Sequence, residues 1–285
     1  MVQIIAEIGC NHKGQLDIAK TMIEIAKTSG AHIAKFQKRN NKKLFTKEEY
    51  ERPHIQQANS YGRSYGEHRE KLEFSIEQHR ELKKHCEGLG IIYSTSVWDI
   101  NSAKGITKLN PQHIKVPSAI NLDFEMQEFL CKNFKGKIHV SVGMTNISEL
   151  RKILKFYNTQ NRENDLIVYS CTSGYPIQME EICLLEIKKL EELLKHTKSE
   201  IGFSGHHLGI APDIAAVTLG AKWIERHFTL DRTWKGTDHA ASLEPDGLKK
   251  LCRDVENVQK ALQFKYTDIL PVEEVQRKKL KKFYI

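Results

Sequence analysis

Short runs of apolar and β-branched residues alternate along this chain with longer segments in which apolar residues recur at helical spacing. Short runs of this kind, bounded by polar or glycine-containing stretches, are typical of β-strands. The pattern therefore predicts strands and helices in strict alternation. The predicted strands are Ile4–Ile8, His32–Gln37, Ile91–Ser96, His113–Pro117, Ile138–Val142, Leu166–Cys171, Ile201–Ser204 and Trp223–Phe228.

The longer segments have one apolar face each. In Leu16–Ser29, for example, Ile18, Met22 and Ile25 share a face of the predicted helix. Glycines at several junctions are typical of helix C-caps that precede the next strand. The other predicted helices are Glu77–Leu89, Leu122–Phe134, Ile147–Tyr157, Ile182–His196, Ile210–Leu219 and Leu248–Leu262, and the cap glycines are Gly30, Gly90 and Gly220.

About eight units in βα order predict a (β/α)8 TIM barrel, formed as a single domain by residues 1–285. Barrels of this class reach such a length as one unit. The main alternative is a doubly wound open sheet. That alternative is disfavoured because the segment EIGCNHKG has no dinucleotide-binding glycine spacing, and no phosphate-binding GxxxxGK[ST] motif occurs in the sequence.

One insertion interrupts the βα alternation, between Arg39 and Phe74. It makes the second βα loop unusually long, and long loops in compact domains are usually functional or disordered. Its tyrosines, together with Arg63 and His68, favour a loop that contacts substrate. The basic tail VQRKKLKKFYI is typical of a solvated last helix.

The formal net charge of +8 is consistent with a lysine-rich surface or with anionic partners. No nucleic-acid-binding signature is visible, so small phosphorylated substrates are the better match. The start of the chain lacks a signal peptide, and no apolar run approaches the length of a membrane span. Six cysteines without a C-x-x-C pair indicate free thiols in a reducing compartment. We therefore expect a soluble, cytoplasmic protein that binds neither nucleic acid nor membrane.

In a barrel, the polar residues at the carboxyl ends of the strands meet at one face. Lys35 and Lys115 lie in apolar strands at equivalent positions, and buried lysines are rare unless they are paired. An anion bound between them would supply the partner. Hydroxyl side chains that follow the strand ends would donate hydrogen bonds to that anion: Thr95, Ser118, Ser141, Ser173 and Ser204.

His206 and His227 end neighbouring strands, which lie about 4.8 Å apart. Both imidazoles would then reach one divalent ion, although a hydrogen-bonded structural role explains either histidine equally well. Two protein ligands leave positions open for water or substrate, as a catalytic metal needs. His207 follows His206 directly, and adjacent side chains on a strand point to opposite faces, so at most one of the pair faces the site.

Seven motifs follow one another along most of the chain: IIAEIGCNHKG, KFQK, KVPS, SVGM, CTSGYP, GFSGHHLGIA and IERHFTLDRTWKGTDHAASLEPDGL. They resemble those of the sialic acid synthase family, the phosphoenolpyruvate-dependent nonulosonate synthases. The resemblance implies a TIM barrel, an acceptor sugar of mannose type and a homodimer. The segment YGRSYGEHREKLEF is similar to the animal-type enzymes, whose acceptor is a 6-phosphorylated N-acylmannosamine or mannose.

The resemblance also implies roles for individual residues. His206 and His227 match the two protein ligands of a divalent metal, Mn²⁺ or Mg²⁺. Glu7, Tyr175 and Asp238 match positions that hold or activate the acceptor sugar, and Glu7 and Asp238 are alternative proton shuttles. The positions that match phosphoenolpyruvate binding are Lys35, Thr95, Lys115, Ser118, Ser141, Ser173 and Ser204, with Ser173 standing where some members have asparagine.

Two features depart from the family pattern. Ile120 stands where members usually carry an acidic residue, and either Asn121 or Asp123 is the candidate substitute. We also expect the chain to lack the C-terminal antifreeze-like domain that most members have. A partner chain would then supply its sugar contact, or the acceptor would lack an N-acyl group. The alternatives to a nonulosonate synthase are a synthase for another aldose phosphate and a degenerate barrel that serves as a non-catalytic subunit.

Overall fold

The computed structural model describes residues 1–283, and within this range eight parallel strands close into a barrel. Each strand pairs with the next along the chain, and β8 pairs with β1 to complete the ring. This confirms the predicted (β/α)8 fold, and each strand end lies within one residue of its predicted position. The strands are β1 Gln3–Gly9, β2 Ile33–Lys38, β3 Ile92–Val97, β4 His113–Val116, β5 Lys137–Ser141, β6 Leu166–Cys171, β7 Glu200–Gly205 and β8 Trp223–His227.

Helices surround the barrel as the apolar periodicity predicts. Gly30, Gly90 and Gly220 have positive φ, as cap glycines should. The helix Ile100–Thr107 was not predicted from its pattern, although Asp99 caps it by accepting from the Ser102 backbone N–H. The helices of residues 1–283 are α1 Leu16–Thr28, α2 Asn41–Leu44, α3 Lys47–Glu51, α4 Tyr65–Leu72, α5 Ile76–Leu89, α6 Ile100–Thr107, α7 Phe124–Asn133, α8 Ile147–Thr159, α9 Glu186–Leu194, α10 Ala211–Thr218, α11 Pro245–Ala261 and α12 Pro271–Leu280.

Alternate residues of every strand face the interior or the helices. The outward residues join the helix faces in one large apolar core, which includes Phe36 on β2 and Phe203 on β7. The interior below the mouth is filled by a smaller cluster with Tyr169 and Trp223. His139 extends this cluster, since its Nδ1 lies 2.8 Å from the Tyr169 hydroxyl. The filled interior leaves only the carboxyl-end mouth open for a ligand.

The long second βα loop is folded rather than irregular. It contains α2, α3 and α4, and a capping box at Thr46 and the Ser64 side chain begin α3 and α4. Tyr61 fastens the loop to the segment after β8, because its hydroxyl donates to the Lys235 carbonyl oxygen at 2.5 Å. The predicted loop is therefore held over the mouth of the barrel.

The basic tail forms α12 up to Leu280, as predicted, and its last two residues lie outside the described part. In residues 1–283 we find no helix of the length and apolar character needed to cross a membrane. All six cysteines within the same range are free thiols, as expected.

Candidate functional site

A cavity of about 550 Å³ opens at the carboxyl ends of the strands. Its wall combines strand ends with residues of the long loop and of the segment after β8. Most of the side chains predicted for the site meet here, although they come from strands far apart in the sequence. Those that line the cavity are Glu7, Lys35, Lys115, Ser118, Ser141, Ser173, Tyr175, Ser204, His206, His227 and Asp238.

Four buried charged residues form the floor of this cavity, and we call them the charged quartet: Glu7, Lys35, Lys115 and Glu225. Lys35 Nζ lies 2.5 Å from Glu7 Oε2 and 3.6 Å from Glu225 Oε2. Lys115 Nζ lies 2.6 Å from the other Glu225 oxygen. Buried charges of this kind are tolerated because each is paired. The two lysines predicted from their position are thus joined through Glu225, which the sequence reasoning did not assign to the site.

The two carboxylates of the quartet differ in proton affinity. Burial raises the pKa of Glu7 from 4.5 to about 7, although Lys35 opposes the shift. Burial also acts on Glu225, but Lys115 and Lys35 outweigh it and lower its pKa to about 2. Glu225 therefore holds both lysines as a fixed anion, whereas Glu7 exchanges a proton near neutral pH.

Hydroxyl groups extend the quartet toward the cavity. Lys35 Nζ donates to Ser96 Oγ at 2.9 Å, and Ser204 Oγ donates to Glu225 Oε1 at 3.1 Å. Ser118 and Ser173 approach each other over Gly143, where an added Cβ would lie 2.9 and 2.5 Å from their hydroxyl oxygens. Glycine at this position therefore makes room for two donors on one side of the cavity.

His206 and His227 face each other across the cavity, with ring centroids 5.4 Å apart. The His206 Nδ1–H donates to the Thr172 carbonyl oxygen at 2.8 Å, which makes Nε2 the acceptor nitrogen of this ring, and the Cys171 thiol lies beside the same imidazole. Among residues 1–283, the buried Nδ1 of His227 has no hydrogen-bond partner, and Asp238 Oδ2 lies 3.9 Å from it. Burial lowers the pKa of His227, so this ring is neutral near pH 7.

These two imidazoles suit a divalent metal, because ligand nitrogens must be deprotonated and unshared. The described part of the chain contains no cluster of three or more His, Cys, Asp or Glu residues that would enclose an ion. The protein side of a metal site here would therefore be open, with the remaining positions left to substrate or water. The ring of Tyr175 lies 4.2 Å from that of His206, at the edge of this open side.

His207 lies two residues beyond the end of β7 and faces the opposite side from His206, as alternation predicts. Its Nε2 lies 3.2 Å from Asp213 Oδ2 and accepts from Arg226 Nη1 at 2.9 Å. Arg226 also donates to Asp213 at 2.5 Å, and all three side chains are buried outside the barrel. This cluster, His207–Asp213–Arg226, is a structural tie between β7, β8 and α10.

The prediction for Thr95 was wrong by one residue. Thr95 pairs in register with Phe36, which faces the helices, so its side chain also lies outside the barrel. Ser96 takes the inward position and contacts Lys35. Lys35 points inward and pairs in register with Ser94. Because side chains of a strand alternate with a period of two, Ser96 points inward as well, and this alternation was the signal that identifies it.

The predictions for Arg63 and His68 were also wrong. Arg63 is exposed, and its backbone N–H donates to Glu67 rather than to anything in the cavity. His68 is fully buried inside the loop, where its ring lies 4.5 Å from that of His54. The loop residues that line the cavity include Arg39, Arg52 and Arg69 instead. No periodicity marks these arginines, so the sequence pattern did not reveal them.

Neither candidate replaces the missing carboxylate near position 120. The Asn121 amide donates to the Ser141 carbonyl oxygen at 3.0 Å and to Thr145 Oγ1 at 2.7 Å, which fixes a loop. Asp123 accepts from the Met126 backbone N–H and begins α7. Both side chains are committed to local structure. The only acid we find beside Lys115 in the described part is Glu225.

Comparison with known proteins finds relatives of the sialic acid synthase family over most of the chain. The model of the NeuB family matches residues 22–266. N-acetylneuraminate-9-phosphate synthase of Homo sapiens is 41% identical over 279 residues, covering 98% of this chain and 76% of the relative. N,N'-diacetyllegionaminic acid synthase of Campylobacter jejuni is 35% identical, covering 91% and 77% respectively. The solved N-acetylneuraminic acid synthetase of Leptospira borgpetersenii superposes with a TM-score of 0.82 at 25% identity, covering 99% of this chain and 93% of that chain.

Proposed function

The chain belongs to the NeuB family, and from this premise we propose that it condenses phosphoenolpyruvate with a mannose-type aldose, giving a nonulosonate and phosphate. It is a transferase that forms a carbon–carbon bond. The observation that carries this proposal is one cavity that joins the charged quartet to the facing histidines His206 and His227. One part of such a site suits an anionic donor, and the other suits a carbonyl acceptor.

We propose that the floor of the cavity binds phosphoenolpyruvate. Lys35 and Lys115 provide fixed positive charge, and Ser96 and Ser204 hydrogen-bond within the same network. Ser118, Ser141 and Ser173 line the adjacent wall, where their hydroxyls can donate to a carboxylate or phosphate. Because Glu225 fixes both lysines before substrate arrives, the charges need little rearrangement on binding.

We propose that His206 and His227 hold a divalent ion, Mn²⁺ or Mg²⁺, through the nitrogen atoms that are free in the described structure. When bound, such an ion supplies a Lewis acid for the aldehyde oxygen of the open-chain sugar. Tyr175 and Asp238 flank the two imidazoles and would orient the sugar hydroxyls beside them.

The reaction requires one proton acceptor and donor near the reacting carbons. Carbon 3 of phosphoenolpyruvate bonds to the aldehyde carbon, the aldehyde oxygen gains a proton, and water adds at carbon 2. Phosphate then leaves with cleavage of its bond to carbon 2. We assign the proton transfer to Glu7, because its raised pKa of about 7 lets it hold or release a proton at neutral pH. Asp238 is assigned to holding the acceptor.

We propose N-acetylmannosamine 6-phosphate or mannose 6-phosphate as the acceptor, which gives a 9-phosphorylated product. The relatives from Homo sapiens, Mus musculus and Drosophila melanogaster support this choice, since each is named as an N-acetylneuraminate-9-phosphate synthase. We also propose, from the family resemblance, a homodimer that acts in the cytoplasm. Sedimentation velocity and cell fractionation test these two points.

The direct test incubates the purified protein with phosphoenolpyruvate and a panel of aldoses and aldose phosphates. Phosphate release and the mass of the product are followed after EDTA treatment and after readdition of Mn²⁺ or Mg²⁺. We expect a nonulosonate only with mannose-type sugars and only with metal. Release with a different aldose phosphate alone would replace the proposed acceptor. Absence of release with every sugar and metal would contradict the proposed function.

A further inference from the structure

Three arginines of the long loop line the cavity on the side away from its floor. Arg39 follows β2 directly, Arg52 follows α3, and Arg69 lies on α4. We call them the loop arginines. None is used by the carbon–carbon bond formation described above. Their convergence on one cavity needs an explanation, because like charges repel one another unless a counterion separates them.

Arg39 is held rigidly and is only 5% exposed. Its guanidinium lies 3.6 Å from the centre of the Trp98 ring, and its Nη2 donates to Gln37 Oε1 at 2.7 Å. Within residues 1–283 its buried Nε has no hydrogen-bond partner. A buried N–H of a charged group without an acceptor is costly, and an anion in the cavity would satisfy it.

Arg69 and Arg52 both lie beside the ring of Tyr65. Arg69 Nε donates to the Tyr65 hydroxyl at 3.2 Å, which leaves its two terminal amino groups available. The Arg52 guanidinium lies 4.7 Å from the same ring, at the exposed rim. Tyr65 therefore holds both guanidinium groups against one aromatic surface.

The loop arginines lack a carboxylate partner. In the described part of the chain none of the three side chains forms an ion pair. Glu73, the acidic residue beside Arg39, is already occupied, since its Oε2 accepts from the Arg39 backbone N–H at 2.9 Å and from Lys38 Nζ at 3.2 Å. Burial and the charge of Arg69 both lower the pKa of Arg39, which shows that the two cations act on each other.

We infer that Arg39 and Arg69, with Arg52 at the rim, bind a phosphate dianion carried by the acceptor sugar at the end remote from its reacting carbon. The inference rests on the proposed function and adds a specificity determinant to it. Guanidinium groups suit this ligand, because their planar donors match phosphate oxygens in pairs. The site would make the enzyme selective for phosphorylated over unphosphorylated acceptors.

The position of Asp238 links the loop arginines to the reacting end of the acceptor. Its Oδ2 lies 3.9 Å from His227 Nδ1, and its side chain lines the same cavity as Arg39 and Arg69. Asp238 therefore shares this cavity with both the facing histidines and the loop arginines. A sugar held by Asp238 would have its aldehyde near His227 and its other end toward the loop. Phosphoenolpyruvate would instead bind to Lys35 and Lys115 on the floor of the cavity.

The experiment compares kcat/KM for N-acetylmannosamine with and without the 6-phosphate, and measures KM for phosphoenolpyruvate. It uses the wild type, Arg69→Gln and Arg69→Lys, with Arg63→Gln as the matched control on the same loop. In Arg69→Gln we expect the phosphorylated-to-unphosphorylated ratio to fall on the order of 10- to 100-fold, through KM of the phosphorylated sugar. Arg69→Lys should recover part of the ratio, and Arg63→Gln should keep the wild-type ratio.

Several outcomes would overturn the inference. If the wild type and Arg69→Gln both turn over with equal ratios, the arginine site is wrong and the proposed function stands. If Arg69→Gln raises only KM for phosphoenolpyruvate, the arginine serves the donor instead. If the wild type turns over neither N-acetylmannosamine nor mannose, with or without the 6-phosphate, the proposed function fails and the inference fails with it. Thermal melting of each variant excludes misfolding. Arg69→Lys keeps the positive charge at this position, so its ratio separates the loss of charge from the loss of the guanidinium group.

Discussion

The inner and outer faces of β7 and β8 use similar polar residues for different purposes. On the inner face, His206 and His227 present unshared nitrogens to the cavity. On the outer face, His207 follows the end of β7, and its Nε2 contacts Asp213 and Arg226 while its buried Nδ1 has no hydrogen-bond partner in residues 1–283. Both histidines of the GHH sequence are buried, so burial alone does not separate their roles. The difference lies in what each imidazole faces: the cavity for His206, and the ion pair of Asp213 and Arg226 for His207.

The same contrast holds around the barrel. Inner-facing groups present donors to a ligand. Examples are the ammonium group of Lys115 beside Glu225 and the hydroxyl groups of Ser118 and Ser173 over Gly143. Outer-facing groups bond instead to neighbouring elements, as Arg226 does to Asp213 and to the carbonyl oxygens of His207 and Gly209. Substitutions on the inner face should therefore lower turnover with little loss of stability, and substitutions on the outer face should do the reverse.

The largest expected effect is on the inner face, at His227. His227→Ala removes one of two proposed metal ligands, and we expect kcat to fall on the order of 10³-fold, equivalent to about 4 kcal/mol. The assay is metal-dependent phosphate release at saturating phosphoenolpyruvate. His239→Ala is the control, because His239 is buried but its Nδ1 contacts Thr229 Oγ1 outside the cavity. Full activity in His227→Ala would show that the metal assignment is wrong.

The next effect tests the outer face through stability. Asp213→Asn leaves Arg226 buried without its carboxylate, so we expect the free energy of unfolding to fall by about 3–5 kcal/mol. Turnover per folded molecule should stay at the wild-type value. Urea denaturation and active-site-normalised kinetics measure the two quantities. Glu191→Gln, which breaks the exposed pair with Lys188, should change stability little. A loss of turnover without a loss of stability in Asp213→Asn would reverse the assignment of the two faces.

A smaller effect separates two adjacent residues of β3. Ser96→Ala removes the hydroxyl that accepts from Lys35, and we expect kcat/KM for phosphoenolpyruvate to fall about 10-fold. Thr95→Ser should leave kcat/KM unchanged, because Thr95 lies among the outer core residues. Steady-state kinetics of the two variants distinguish them. Equal losses would mean that the inward register of β3 is wrong.

The smallest effect concerns the pH dependence of the free energy of unfolding, through a histidine outside the barrel. His79 packs outside β2, and burial lowers its pKa from 6.5 to about 3. Above pH 6.5 the ring is neutral in the folded and unfolded states. As the pH falls from 6.5 toward 3, only the unfolded chain gains this proton, so stability falls by up to about 1.4 kcal/mol per pH unit. His79→Gln should show a shallower decrease in urea denaturation at pH 5–6. An unchanged slope would show that His79 does not contribute.

The sequence predicted the fold because strand and helix periodicities are local properties. Runs such as Leu166–Cys171 are short and rich in β-branched and aromatic residues, which favours buried strands, and their order along the chain predicts the barrel. It also predicted His206, His227 and both lysines, since strand ends of a barrel converge whatever the details of packing. The prediction for Thr95 was wrong because neighbouring residues of a strand point to opposite faces, so an error of one residue selects the wrong face.

The remaining site residues depend on contacts that no local pattern records. Glu225 pairs with Lys115 from 110 positions away, across the interior of the barrel. Arg52 and Arg69 line the cavity from a folded loop, which Tyr61 joins to the segment after β8. Arg63 and Arg69 look alike in the sequence, and only the folded loop separates the exposed residue from the cavity-lining one.

The most direct test compares the two neighbouring histidines as His206→Gln and His207→Gln. For each variant, metal-stimulated phosphate release per folded molecule and the midpoint of thermal unfolding are measured side by side. We predict that His206→Gln loses turnover and keeps its unfolding midpoint, whereas His207→Gln keeps turnover per folded molecule and unfolds at lower temperature. Equal effects of both substitutions on turnover, or a loss of turnover confined to His207→Gln, would contradict the account.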